Sequence, residues 1–517
     1  MKLNYKRTIF VGFAFFLICA FWQAYDNTIP LILTNKFGLS QTASGVVMAL
    51  DNILALFMLP LFGAVSDKCR HRIGKRTPFI LAGTLIAAVA FVSLTFADNM
   101  QLRQIDKVSK IDDPAALTEI WESQKDAALQ TPDGEKFVLS EKFTAAEFTE
   151  VRSQITKEGG KTVTNPDYTN YVVPARQAYA WGVTRNSSAP LILFMVLLLI
   201  VLVSMSTFRS PAVALMPDVT IKPLRSKANA VINLMGSAGG ILVLGLGMVF
   251  ATSAVRNALM SYTLYFGVIA AIMLLALLIF MLKVKEPKFV EEMQAESRRH
   301  GIDEGEEDDG SGSRKLSRGE RKSLIFLLAS IVLWFMGYNA VTSKYSVYAS
   351  NILHKDYNLT LIIAQAAAIL SYLPVGMVAS RFGRKKTILA GVVMLTTAFT
   401  VACFLRESSP TLLMNAMFAL AGIGWATINV NSFPMVVELC KGGDVGKYTG
   451  FYYTASMAAQ TITPMISGFF MDKLGMTSLF PYAAIFACLA FGTMLFVMHG
   501  DNKPTAKKGL EALDVED

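Results

Sequence analysis

Gly63-Ala-Val-Ser-Asp67 closes one long apolar stretch, and Lys68-Cys-Arg-His-Arg-Ile-Gly-Lys-Arg76 leads into another. The two stretches, Gln41–Ser66 and Thr77–Phe96, are each at least twenty residues long. At about 1.5 Å of rise per residue, twenty helical residues cover about 30 Å, the hydrocarbon depth of a bilayer. The loop between them is dense in Lys and Arg, which marks the cytoplasmic end of a membrane crossing. Two membrane helices joined by a short basic turn decide the class: this is a polytopic membrane chain.

The same pattern extends in both directions from this hairpin. Six spans are expected in the first half: Thr8–Leu33, Gln41–Ser66, Thr77–Phe96, Pro190–Met216, Lys227–Ala251 and Leu259–Leu282. Six more follow: Ser323–Tyr348, Leu359–Ser380, Thr387–Leu405, Thr411–Leu439, Tyr448–Met471 and Ser478–Met498. Over 517 residues the chain is 53% hydrophobic and only 17% charged, too little charge to cover a soluble surface of that size. Basic clusters at Lys2, Lys6 and Arg7, at Lys68–Arg76, at Lys222–Lys227 and at Arg381–Lys386 all fall on one side, so both termini are expected in the cytoplasm of an inner membrane. The net charge of +9 is used up in those loops and leaves no basic face for nucleic acid. Cys19, Cys69, Cys403, Cys440 and Cys488 show no CxxC or ligand spacing, so no disulfide framework, metal or other cofactor is expected. Lys2, Lys6 and Arg7 before an apolar run resemble a secretory leader, but the run continues past Trp22 without a small-x-small cleavage site. It reads as an uncleaved first helix.

Two segments break the pattern. Residues 97–189 form a polar insert on the extracytoplasmic side, with Asp113-Pro114 as a helix start and Thr144-x-x-Glu147 as a capping box, so a small helical cap is expected. Residues 284–322, with the acidic run Asp303–Asp309 and Gly310-Ser-Gly-Ser, read as a flexible cytoplasmic linker, and residues 500–517 as a cytoplasmic tail. The linker divides a repeat. Trp22-Gln-Ala-Tyr-Asp-Asn27 and Trp334-Phe-Met-Gly-Tyr-Asn339 share their Trp-to-Asn spacing, and Ser40 and Thr360 are each placed to cap the following helix. One bundle therefore takes residues 1–96 and 190–283, and the other takes 323–499. Matched halves are how transporters alternate access to a midplane site.

Gly63-x-x-Ser-Asp67 with Arg72-x-Gly74-Lys75-Arg76 resembles the signature loop of the major facilitator superfamily. Its continuation Thr77-Pro-Phe-Ile80, the stretch Ser210-Pro-Ala-Val-Ala-Leu-Met-Pro-Asp218, Gly424-Trp-Ala426 with Pro434, Gly446-x-Tyr448-x-Gly450, Gln460 and Pro464 are similar to the glycoside–cation symporters. Within that group the likeness is to plant sucrose–proton symporters and their animal and bacterial sugar-transporting relatives. It spans the membrane core and not the insert. The resemblance implies an all-α protein of twelve transmembrane helices in two pseudo-symmetric bundles, sugar as substrate and a proton as coupling ion. Two departures stand out. Ser380 replaces Asp67 in the second-half loop, and the middle of helix four, Leu198–Val203, lacks the acidic residue that the resemblance associates with proton coupling.

Ionisable groups at membrane depth are costly and mark function by default. Asp26 shares a helix face with Gln23 and Asn27, and Asp51, followed by Asn52, lies near the middle of helix two. A carboxylate withdrawn from water holds a proton more readily, so either can carry a proton across; the alternative is a carboxylate held by structural hydrogen bonds. Sugar recognition needs amides, hydroxyls and an aromatic face. Candidates beside Gln23, Asn27 and Asn52 are Asn229 and Asn233; Trp334, Tyr338 and Asn339; Gln365 and Tyr372; Trp425 and Asn429; and Tyr453 and Gln460. For each residue alone, helix–helix glue is an equal alternative. Asp67, Arg72, Gly74, Lys75 and Arg76 read as gate hardware that pairs across the halves, with Asp218 at the end of helix four. Arg209 is expected near Asp67 at the same gate, and Lys344 as a snorkelling residue at the outer end of helix seven.

These features point to proton-coupled uptake of a disaccharide or small oligosaccharide by a monomer in the lipid bilayer. Sodium coupling and a drug or metabolite exporter of the same superfamily are the alternatives. A membrane enzyme is not expected, because the insert holds no His or Cys, and an ATP-driven transporter is not, because no phosphate-binding loop occurs.

Overall fold

The computed structural model describes residues 3–156, 160, 162–221, 224–300, 316–439 and 445–500. Twelve long helices lie among them. The first six are α1 Tyr5–Asn35, α2 Gln41–Asp67, α3 Thr77–Gln104, α4 Ala189–Asp218, α5 Arg225–Val249 and α6 Thr263–Lys283. The second six are α7 Arg318–Tyr348, α8 Tyr357–Phe382, α9 Arg384–Ala402, α10 Thr411–Glu438, α11 Val445–Leu474 and α12 Leu479–Leu495. Ten of them are long and apolar enough to cross a membrane. Lys222, Cys440, the acidic run Asp303–Asp309 and the tail lie outside the described residues, as does the side chain of Ser380.

Helix α6 shows why these segments belong in lipid. Phe266, Met273 and Phe280 are buried at seven-residue spacing, while Leu264, Leu275 and Leu282 stand 67%, 57% and 61% exposed on another face. An apolar face that finds no protein partner is satisfied by acyl chains. Inward faces build two cores. In the first half Phe91 stacks on Phe266 at 4.1 Å, with Phe21 edge-on at 5.5 Å. In the second, Tyr345, Phe418 and Phe480 cluster.

Three ends differ from expectation. Helix α3 runs two turns past Phe96, because Asp98 and Gln101, which read as loop, find buried partners in Lys36 and Thr184. Helix α8 is capped by Asp356, whose carboxylate accepts from the Asn358 amide, and not by Thr360. Thr360 lies a turn inside the helix, and its hydroxyl meets Tyr345 Oη at 2.7 Å. The linker opens with a helix, Glu286–Arg299, rather than a spacer.

The insert packs around its own core of Ile105, Leu117, Ile120, Phe137, Phe148 and Tyr168. It holds several short helices and two small antiparallel hairpins. Its last helix, Val173–Asn186, docks on the end of α1, where Thr184 Oγ1 and Gln177 Nε2 bond Phe37 O and Asn35 Oδ1. The turn of its first hairpin reaches the other half, and Met476 donates its amide to Pro132 O at 2.5 Å. Gly134 and Gly475, at φ +95° and +92°, press their backbones together there, and a side chain on either would clash.

The halves are joined at this insert end. Asp472 on α11 accepts from the Gln41 and Thr42 amides at 2.8 and 2.7 Å, the first two residues of α2. Lys344 Nζ donates to Gln41 O at 2.7 Å. Ser253 donates to Asp356 at 3.0 Å. Helices α2 and α11 approach so closely that a side chain at Gly45 would enter the Pro464 carbonyl.

Candidate functional site

A cavity of about 90 Å³ lies at mid-depth between α1, α2, α7 and α11. Asp26, Asp51 and Asn52 line its first-half wall, and Asn339, Thr342, Ser343 and Gln460 the opposite wall. Both carboxylates are half-buried and turned toward the partner bundle instead of lipid. Asn52 Nδ2 donates to Asp51 Oδ1 at 2.9 Å, and Asn339 Nδ2 is buried without a partner. A water needs about 10–15 Å³ of such space, so the cavity has room for several waters but is too small for a sugar. Substrate must enter when the halves stand further apart.

Arg209 also acts on the interior acids. Its guanidinium lies 5.8 Å from the Trp22 ring, and its charge acts on both Asp26 and Asp51. The helix continues nine residues to Asp218, about 14 Å, and the Oγ of the next residue, Ser210, lies against Gly63, one turn before Asp67. Two acids and one base therefore share the interior of the first half. Gln23 and Gln365 meet over Gly240 from opposite halves; a methyl at that glycine would sit 3.3 Å from Gln23 Oε1 and 3.2 Å from Gln365 Nε2.

Other candidates divide. Tyr338 lies flat on Trp425, with ring centres 3.7 Å apart and planes within 5°, and Phe335 closes the edge of Trp425. Asn429 is half-buried one turn along α10. Asn229, Asn233 and Tyr372 are half-buried on α5 and α8, and Tyr453 packs on Phe433 and Tyr452. Trp334 is 0% exposed in the second-half core, away from the cavity. Asn27 is buried and donates to Gln23 O at 2.8 Å within its own helix. The two Trp-to-Asn repeats thus hold different positions: Asn339 opens on the cavity where Asn27 serves its helix.

The loop that opened the sequence reading is tied together inside the first half. Arg76 is buried and links three elements. Its Nη2 meets Asp67, its Nη1 meets Ser66, and its Nε meets Asp218 at 2.8 Å. Lys75 Nζ adds a contact to Asp218 at 3.1 Å. Arg72 is exposed. Gly74, at φ +122°, lies against the Glu286 carboxylate, where any side chain would collide. Glu286 accepts from the amides of Lys75, Arg76 and Thr77 and from the Thr77 hydroxyl, at 2.7–3.1 Å. It caps the start of α3. Among the described residues, these charges pair within one half; the cross-half pairing expected of them occurs at the insert end, on Asp472 and Lys344.

Glu286, Asp472, Thr342 and Ser343 escaped sequence reading. Lys344, taken as snorkelling, is fully buried at the joint with α2. Only Glu286 carried a local signal, since Glu-Pro opens a helix.

The description "Major Facilitator Superfamily" matches residues 177–371 and 354–513, together more than half of the chain, and "MFS/sugar transport protein" matches residues 10–103. The chain belongs to the major facilitator superfamily. Its fold is that of solved superfamily transporters. The inward-open xylose transporter XylE from E. coli aligns with a TM-score of 0.58 at 16% identity over 99% of each chain. A D-xylose–proton symporter aligns at 0.55 and 17% identity over 96% of this chain and 99% of its own. The nucleoside transporter NupG aligns at 0.52 and 13% identity over 96% and 99%. A superfamily member with this fold is a multi-pass membrane transporter.

Proposed function

We propose that this chain is a proton-coupled symporter of a disaccharide or small oligosaccharide, working as a monomer by alternating access. One observation carries the reading: Asp26 and Asp51, with Arg209 in electrostatic reach, face the amides of the opposite half across a shared cavity. A guanidinium beside two carboxylates leaves one acid without a full partner, and that acid is the natural proton carrier. Protonation removes a charge from the joint between the halves, which eases their rocking. Gln23, Asn52, Asn339, Gln365 and Gln460 are the amides that would bond sugar hydroxyls, and the Tyr338–Trp425 pair is the aromatic surface. The likeness of the sequence motifs to glycoside–cation symporters favours sugar over other solutes. The basic loops assign the signature-loop end to the cytoplasm of an inner membrane, so the joined insert end is the outer gate.

Uptake of labelled sugars into proteoliposomes under an imposed pH gradient tests this. With one proton per sugar, a gradient of one pH unit sustains about a tenfold accumulation. Asp26→Asn or Asp51→Asn should abolish accumulation while sparing sugar exchange. Wild-type uptake that follows a sodium gradient instead would refute proton coupling, and retained accumulation in both variants would refute the carboxylate assignment.

A further inference from the structure

A second cavity, about 420 Å³, lies at the insert end, between the insert and the joint of the two halves. Pockets for small organic molecules run to roughly 300–1,000 Å³, a range this cavity reaches and the mid-depth one does not. Three bodies wall it. The insert gives Gln130 and Thr131 of its first hairpin and Gln177 and Trp181 of its last helix; the first half gives Ser40, and the second half Asn351 and Asp472. The hairpin turn on Met476 and the Asp472 cap on α2 hold these walls together, so the pocket exists only while the halves are joined.

The polar groups on the wall are of two kinds. Three amides commit their nitrogens to the protein: Gln130 Nε2 to Gly134 O at 3.1 Å, Gln177 Nε2 to Asn35 Oδ1 at 2.9 Å, and Asn351 Nδ2 to Met476 Sδ at 3.9 Å. Their carbonyl oxygens accept no bond among the described residues, and none of the three is sealed from solvent. Ser40 and Thr131 are the reverse. Each hydroxyl oxygen accepts a backbone amide, from Ala43 and Glu135, and keeps its proton to donate. The Trp181 side chain adds an aromatic surface that is 44% exposed. Asp472 is engaged by the Gln41 and Thr42 amides, with the Lys344 ammonium on Gln41 O beside it, so the wall offers no unanswered charge.

A solute that suits this wall must donate and accept hydrogen bonds, carry no charge and lay an apolar face on an aromatic ring. An organic ammonium would leave the hydroxyl protons unused and would want a carboxylate that is not already engaged. A pyranose ring, with hydroxyls at its edge and C–H groups on its face, meets all three demands. We propose that this pocket is a second saccharide site, separate from the mid-depth cavity and filled while the insert end is joined. The choice of saccharide among neutral hydroxyl-bearing solutes rests on the symport reading.

The test places a cysteine in the pocket wall, Ala178→Cys, in the full chain purified in detergent, and follows maleimide alkylation on the peptide that carries it. The probes are sucrose, maltose and whichever labelled sugar the proteoliposomes accumulate, with choline as the charged comparison. A saccharide at about ten times its Kd leaves about a tenth of the pockets open and should slow alkylation about tenfold. Adding Trp181→Ala, at a surface position, should raise the saccharide concentration for half-protection about tenfold. Adding Trp425→Ala, which strips the aromatic surface of the mid-depth site, should leave protection as it was. Protection lost with Trp425→Ala and kept with Trp181→Ala overturns the second site and leaves the symport reading standing. So does protection by choline alone, or by none of the sugars, in a chain that accumulates sugar. Protection in a wild-type chain that accumulates no sugar keeps the second site and refutes the symport reading.

Discussion

The two ends of the bundle use the same device in opposite ways. At the signature-loop end, the Glu286 carboxylate caps the first turn of α3, and cap and helix both belong to the first half. At the insert end, the Asp472 carboxylate caps the first turn of α2, but cap and helix belong to different halves. In each case an acid satisfies amides that an isolated helix leaves open. The difference lies in what happens when the halves rock. The Glu286 cap travels with its helix and is indifferent to the transport state, whereas the Asp472 cap exists only while the insert end is joined. The first is an element of the fold and the second an element of the cycle.

The largest effect should come from the cap that no state releases. Glu286→Ala leaves the amides of Lys75, Arg76 and Thr77 without their buried acceptor and should cost about 3 kcal/mol. Thermal melting should fall equally whether or not substrate is present. If melting is unchanged, water serves the start of α3 as well as the carboxylate does, and the distinction between the ends disappears.

Asp472→Asn should act on the equilibrium between states more than on melting. Loss of charge at the start of α2 weakens two amide bonds and the Thr42 hydroxyl bond, together about 1–2 kcal/mol, which changes the ratio of joined to separated arrangements about tenfold. Spin labels on the exposed positions Asn186, on the insert helix docked to α1, and Ser408, on the second half, report it directly. The long-distance population should grow in Asp472→Asn and stay at the wild-type level in Glu286→Ala. Identical distance distributions in Asp472→Asn and wild type would show that the gate is held by other contacts.

The comparison also explains what sequence could reveal. The twelve spans were legible because length and hydropathy are local properties, and a run of twenty apolar residues has few other uses. Asp26 and Asp51 stood out for the same reason, as charges inside apolar runs. The caps did not: Glu286 acts on Arg76 across 210 positions and Asp472 on Thr42 across 430. No spacing rule reaches so far. Arg209 was read only against Asp67, because its reach to Asp26 and Asp51 on neighbouring helices leaves no mark in the spacing of α4. Lys344 was misread because a lysine one turn from a helix end snorkels unless another helix covers it, and α2 covers it here. Trp334 is fully buried and Tyr338, four residues on, only half-buried, a rotation of about 40° that a sequence pattern does not resolve.

The smallest effect belongs to a third carboxylate cap, and it asks whether burial is what ranks the other two. In the insert, Glu147 and Thr144 form a capping box on the helix Ala145–Thr149, exposed to water. Bonds from the Thr144 amide and hydroxyl hold the Glu147 carboxyl below its ordinary value of 4.5. A lowered folded value means that the box contributes above pH 4.5 and is lost as pH falls through the folded value. Hydrogen exchange over residues 145–149, corrected for intrinsic rates, should quicken in that acid window in wild type and show no such step in Glu147→Gln. Melting of the whole chain at neutral pH should not distinguish the two, because water replaces an exposed acceptor at little cost. A drop in Glu147→Gln as large as that in Glu286→Ala would mean that the carboxylate itself, rather than its withdrawal from water, sets the strength of all three caps.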